Sequence, residues 1–165
     1  MLWALKQTKV RILQLLAFHA PGAKSLRVRL HRWRGVTIGR NVWIGYQVLL
    51  DTSYPHLIAV GNNVIISIRP VLIAHFRGPE GITIEDDAFI GPGAIILPNV
   101  KIGRGAIVTA GSVVSTSVAP MTVVQGNPAR PIATCGVTLG ENTSMEQFLS
   151  SLRPLKRRAI ADDPQ

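Results

Sequence analysis

From Ile84 to Ala119 an aliphatic residue returns every sixth position: Ile84, Ile90, Ile96, Ile102, Val108 and Val114. The fifth place of each six is small or β-branched, as Ala88, Ala94, Val100, Ala106, Ser112 and Val118. The second place is often glycine or a small polar residue, as at Gly91, Gly103, Thr109 and Ser115. A period of six matches neither the 3.6-residue helix nor the two-residue alternation of a long strand. It predicts a short strand, a turn and another short strand, repeated. Three such units close one turn of a triangular coil. Stacked coils place aliphatic over aliphatic in an interior column, each contributing roughly 1.5–3 kcal/mol on burial.

The same pattern opens at Ile38-Gly39 and Ile44-Gly45 and weakens at Leu50-Asp51. A break of four residues around Tyr54-Pro55-His56 follows, and the pattern resumes at Val60-Gly61, Ile66 and Leu72. Phe76 to Gly81 reads as a loop leaving the coil. Pro120 ends the repeats, and the prolines and glycine of Gln125–Ile132 predict a fixed loop without regular structure. Upstream, residues 1–20 predict one amphipathic helix with Leu2, Leu5, Ile12, Leu13 and Leu16 near one face and Lys6, Lys9 and Arg11 largely off it. Pro21-Gly22 stops it. Two roles stay open for this helix: a cap on the open end of the coil, or a cap that also touches a membrane surface with Trp3 and Phe18 at the interface. Alternation of Leu26, Val28 and Leu30 predicts a strand leading into the first coil. Beyond the repeats, Ser144 with Gln147 forms a capping box for a helix over 145–152, which Pro154 stops. The tail to Gln165 is expected to be disordered. The chain thus divides into residues 1–34, a helix and basic segment; 35–134, the repeats; and 135–165, a helix and tail.

A chain of 165 residues can bury one proper core. Only 16% of its residues are charged, and fifteen glycines and eleven prolines suit a turn-rich β architecture. The net charge of +9 leaves open general solubility, a phosphate-bearing ligand, an anionic membrane surface or nucleic acid. The basic run Lys24, Arg27, Arg29, Arg32 and Arg34, with His31 and Trp33, is short, and a solvated or lipid-facing patch needs fewer assumptions than a nucleic-acid site. The single cysteine, Cys135, excludes a disulfide framework and a multi-cysteine metal site, and fits a reducing compartment. Ile12–Phe18 is far short of the ~20 residues of a spanning helix, and no secretory cleavage pattern is evident. A cytoplasmic protein, peripheral at the inner face of the membrane in the second reading of the N-terminal helix, is expected.

The repeats, then Ala110-Gly111-Ser112-Val113-Val114, then Gly126-Asn127-Pro128-Ala129-Arg130, resemble the hexapeptide-repeat acyltransferases, most closely the branch of maltose, galactoside and capsular-polysaccharide O-acetyltransferases. The resemblance covers roughly residues 35 to 134. It implies an all-β fold, a left-handed parallel β-helix with short terminal helices; general crossover rules would have favoured the right hand. It also implies a homotrimer with active sites between subunits, and acetyl-CoA as co-substrate for transfer to a hydroxyl of a sugar or polysaccharide precursor, either a small molecule or lipid-linked.

Such a transfer needs a base for the hydroxyl proton, donors for the oxyanion and a site for the coenzyme. Of four histidines, His75 ends a coil strand where the chain leaves for the loop, and it matches the family's catalytic histidine. An imidazole suits a base at neutral pH. His56, one coil earlier, is either an acceptor contact or a turn residue beside Pro55. Asp51 matches the region of an acidic acceptor contact. For the coenzyme the resemblance implies Ala110 and Ser112, then Ser115 and Thr116 where a Thr-Lys pair commonly sits, and Arg130, with Arg104 or Lys101 as further phosphate contacts. Phe89 replaces a frequent Trp of the cleft wall. Pro92 lacks an N–H, so Gly91 or Gly93 would have to serve the oxyanion. A γ-class carbonic anhydrase would need closely spaced zinc histidines, which the sequence lacks, so no metal is expected. A non-catalytic β-helical scaffold is the rival from another class, and an acyltransferase acting on an amino sugar or a small non-sugar acceptor is the alternative within this one.

Overall fold

The structure, a computed structural model, describes residues 2–76 and 80–155. Strands follow one another at the predicted spacing and stack into three sheets, parallel throughout the repeats, that form the faces of a β-helix. The first sheet orders β1 (Thr37–Ile38), β4 (Ile58–Val60), β7 (Ile82–Ile84) and β10 (Val100–Ile102). The second orders β2 (Trp43–Ile44), β5 (Ile65–Ile66), β8 (Phe89–Ile90) and β11 (Ile107–Val108), continued by β13 (Thr122–Gly126), β14 (Ala129–Thr134) and β15 (Arg153–Pro154). The third orders β3 (Leu49–Leu50), β6 (Val71–Leu72), β9 (Ile95–Ile96) and β12 (Val113–Val114).

The register stacks the repeat aliphatics directly: Ile44 on Ile66 on Ile90 on Val108, and Leu50 on Leu72 on Ile96 on Val114. All are buried, as are the fifth-place residues Val48, Val64, Ala88, Ala94, Ala106 and Ser112. The turns explain the rest of the hexad. The fourth place adopts a left-handed backbone at Asn41, Gln47, Asn63, Arg69, Asp87, Gly93, Asn99, Gly105 and Gly111, a conformation that Asn, Asp and Gly enter most easily. At the corner between the first and second sheets this builds a polar ladder. Asn41 donates to Asn63 at 3.2 Å, and Asn63 donates to Asp87 at 3.0 Å.

The open end of the first coil is covered by α1 (Leu2–His19) and α2 (Leu26–Arg34). Residues 26–34 are therefore a helix, not the expected strand. Arg27, Leu30, His31 and Arg34 recur at helical spacing and are buried, and Gly35 ends the helix in a left-handed cap. The helices close the coil by hydrogen bonds to its free edge: Ile44 N–H to the Ala23 carbonyl at 2.9 Å, Gln47 N–H to Phe18 at 3.2 Å and the Gln14 amide to the Val48 carbonyl at 3.1 Å. The cap uses another face of α1 than the pattern implies. Val10, Gln14 and Ala17 are buried, whereas Leu5, Ile12 and Leu16 are exposed. At the other end, Gln125–Ile132 is a hairpin rather than an irregular loop. Its strands pair from Thr122↔Thr134 to Gly126↔Ala129, and a register shift at Val123/Val124 accommodates Pro131. The helix α3 (Met145–Ser151) carries both bonds of the Ser144–Gln147 capping box, and Pro154 continues as strand beside β14. Residues 156–165, where disorder was expected, lie outside the described residues.

Candidate active site

Both interruptions of the repeat leave the helix at one corner, between the third sheet and the first. The shorter, after β3, carries Asp51 and Tyr54, then a turn of 3-10 helix at Pro55–Leu57 with His56. The longer, after β6, carries His75 and Phe76. Parallel pairing of β3 with β6 sets Leu50 beside Leu72, so Asp51 and His75 leave the sheet as neighbours.

Asp51 and His75 form a dyad. The Asp51 carboxylate has no exposed side-chain surface, while the His75 ring keeps 27% of its own. Asp51 Oδ2 accepts from His75 Nδ1 and from the Ala74 amide (2.9 Å), and Oδ1 accepts from the amides of Ser53 and Tyr54, each at 2.9 Å. Burial pushes the Asp51 carboxyl up, but the His75 bond and the amides of Tyr54, Ser53 and Ala74 together hold it below the ordinary carboxylate range. An ionised Asp51 fixes the tautomer of His75 with the proton on Nδ1, so the lone pair is on Nε2. The Tyr54 ring lies against His75 with centroids 5.4 Å apart, and the Phe76 ring at 3.8 Å.

Beneath the dyad lies a residue that sequence reasoning missed. Arg34, buried on α2, donates to the Leu50 carbonyl at 2.8 Å, the Asp51 carbonyl at 2.7 Å and the Val10 carbonyl at 3.2 Å. A further N–H lies 3.0 Å from His31 Nδ1. Burial lowers the Arg34 guanidinium to about 10, countered by Asp51, which leaves it charged at neutral pH. Its signal in the sequence was the helical spacing of Arg27, His31 and Arg34, hidden by the competing alternation of Leu26, Val28 and Leu30.

The other sequence-derived residues are scattered by the fold. Asp51, expected at the acceptor, stands behind His75 instead, because its oxygens are consumed by one imidazole and three amides. His56 is exposed beside Tyr54, ring centroids 6.1 Å apart, at the same corner. Ser115 and Thr116 follow β12 at this corner, two coils beyond His75, and Arg130 is exposed on the terminal hairpin. Ala110 is exposed at the corner between the second and third sheets. Phe89 does not wall the dyad. It stands on the second sheet, packed against the outer cluster of Ile107, Val123, Ala133, Cys135 and Phe148. Ser112 is fully buried, its hydroxyl 2.9 Å from that of Thr109 and accepting from the Gly126 amide. The amides of Gly91 and Gly93, considered for the oxyanion, donate instead to Val108 and Ile68 carbonyls within the coil. No cluster of three potential metal ligands occurs among the described residues.

The bacterial transferase hexapeptide profile, of six repeats, matches residues 81–116. The matched residues form two coils, from β7 to β12. YvoF of Bacillus subtilis (strain 168), provisionally named an acetyltransferase, shares 37% identity with this chain over 103 residues, 59% of each protein. The chain therefore spans less than two thirds of that relative's length. Galactoside acetyltransferase, solved in complex with coenzyme A, has the same fold: TM-score 0.60, 21% identity, 80% of this chain and 82% of that one. Soybean serine acetyltransferase superposes with a TM-score of 0.54 at 32% identity, over 78% of this chain and 56% of that one.

Proposed function

We propose that the chain is an acetyl-CoA-dependent acetyltransferase that acetylates a hydroxyl of a sugar or polysaccharide precursor, with His75 as general base. The observation that carries this reading is the Asp51–His75 dyad at the shared corner. Nε2 of His75 takes the acceptor's hydroxyl proton as the oxygen attacks the thioester carbonyl. The tetrahedral intermediate collapses, the C–S bond breaks, and the imidazolium returns the proton to the leaving thiolate. Asp51 touches no reacting atom. It positions the ring and stabilises the transient imidazolium.

Coenzyme A fits the same corner as an extended ligand. Ser115 and Thr116 stand two coils from His75, roughly 10 Å along the helix, and Arg130 would meet the phosphates beyond them. Ala110, on a different corner, would serve the site of an adjoining subunit, in keeping with a homotrimer. A small non-sugar hydroxyl is the second reading for the acceptor, favoured by the likeness to soybean serine acetyltransferase.

The test pairs His75→Ala with Asp51→Asn. A general base is worth ~10²–10⁴-fold, so His75→Ala should lose at least a hundredfold in kcat while retaining coenzyme A by isothermal titration. Asp51→Asn should lower kcat with little change in KM for acetyl-CoA. His75→Ala turnover within threefold of the parent would remove His75 from the base role.

A further inference from the structure

We propose that the outer face of α1 docks the protein on an anionic lipid bilayer. Leu5, Ile12, Leu15 and Leu16 are each more than half exposed on this helix. At about 100° per residue they share an arc of roughly 100°. Lys9 and Arg11, both exposed, border that arc on its two sides. The inward face is already used, by Val10, Gln14 and Ala17. An apolar stripe flanked by cations, here interrupted by the exposed Thr8 and His19, is the pattern of a helix that lies in a bilayer interface, and no described helix is long and apolar enough to cross one.

Charge selects the occupant. The first fifty residues contain nine Lys and Arg and not one Asp or Glu. Arg27 and Arg34 are buried, whereas Arg29, Arg32 and Arg40 are exposed around the same end of the helix. A second copy of this chain has fewer carboxylates than a bilayer to offer such a surface. Of the seven acidic residues among those described, Asp51, Glu85, Asp86 and Glu141 are engaged by His75, Lys101, Arg104 and Lys24 and Asp87 accepts from Asn63, which leaves Glu80 and Glu146 exposed. Anionic headgroups complement it directly.

The docking has a consequence for the dyad. The Val10 carbonyl of α1 and the Asp51 carbonyl are both held by the one Arg34 guanidinium. A bilayer against the far side of α1 then lies one helix diameter and one coil spacing from His75, roughly 15 Å. That is within reach of a hydroxyl on the headgroup of a lipid-carried acceptor. This last step rests on the acetyl-transfer reading; the docking itself does not.

Sedimentation of the full-length protein with phosphatidylcholine vesicles, with and without phosphatidylglycerol, tests it. Expected is binding to the anionic vesicles at low salt, release at high salt, and none to phosphatidylcholine alone. Ile12→Glu with Leu16→Glu should lower partitioning at least tenfold, as should Lys9→Glu with Arg11→Glu, each at an unchanged melting temperature. A wild-type protein that ignores anionic vesicles at low salt overturns the docking whatever the variants do. So do variants that bind like the parent. If Ile12→Glu with Leu16→Glu instead lowers the molar mass by light scattering without lipid, the face belongs to a second copy and the proposal fails. Vesicle binding by a protein that transfers no acetyl group sustains the docking and removes only the lipid-carried acceptor.

Discussion

His31 is the most strongly perturbed group of the N-terminal cap. It is fully buried, and burial first, then the charges of Arg34 and Arg27, lower its pKa to about 3. In the unfolded chain it titrates near 6.5. The unfolded state therefore binds the extra proton, and stability falls as the pH drops from about 6.5 towards 3, by about 2 kcal/mol at pH 5. Asp51 acts in a separate window. Its lowered pKa contributes stability above about 4, lost as the pH falls through its folded value. His31→Gln can still accept from Arg34 but does not titrate, so its melting temperature should decline less than the parent's between pH 7 and pH 5. Parallel declines would show that His31 is not held neutral. The residue scale is also where the sequence was least legible. His75 was found from its place at a coil exit. Its partner was in view too, but Asp51 reads as an acceptor contact until β3 and β6 are paired, because a carboxylate's direction depends on which amides surround it.

At the scale of the element, the hexad is legible because each place has its own physical demand. Aliphatic places stack, fifth places fill the narrow interior, and fourth places turn left-handed. Second-place glycines have a further demand. A Cβ on Gly91 would lie 2.7 Å from both the Ala110 nitrogen and the Val108 oxygen, atoms of the adjacent coil. Gly91 thus reads as a spacer between coils. Gly93, at a φ of +65°, has open space around its Cβ position. Gly91→Ala should cost about 1–3 kcal/mol through forced overpacking. Gly93→Asn should stay within about 1 kcal/mol of the parent, since Asn already occupies the equivalent place at Asn41, Asn63 and Asn99. Chemical denaturation of the two variants checks the contrast; equal losses would break the account of the turn. Elements outside the repeat were harder. Over residues 26–34 two periodicities compete, and burial of Arg27, His31 and Arg34 favours the helix against the usual exposure of charge. The terminal hairpin was obscured by Pro131, which the bulge tolerates.

On the scale of the whole molecule, the spacing of the breaks was present in the sequence, but not their convergence. Counting coils shows that both insertions follow a third-sheet strand, which is why two loops distant along the chain build one site. The same stacking produces a second column, at the corner between the second and third sheets. There Tyr46, Ile68, Pro92 and Ala110 are all exposed in successive coils. The Tyr46 carbonyl accepts from Arg69, Ile68 from Gly93 and Pro92 from Gly111, so the four residues stand one above another. Arg27 lies over the Tyr46 ring at 4.0 Å and orients it. This corner carries apolar surface where the polar ladder of Asn41, Asn63 and Asp87 occupies another, and the dyad the third. In the proposed homotrimer, heterologous contacts that close into a ring cover one such strip per subunit and bring Ala110 towards a neighbour's dyad. Ile68→Glu places a charge at the middle of the strip. It should shift the light-scattering mass from trimer towards monomer at micromolar concentration, and lower turnover with it, while the far-ultraviolet spectrum stays unchanged. An Ile68→Glu protein that remains trimeric and active would move the subunit interface to another face of the helix.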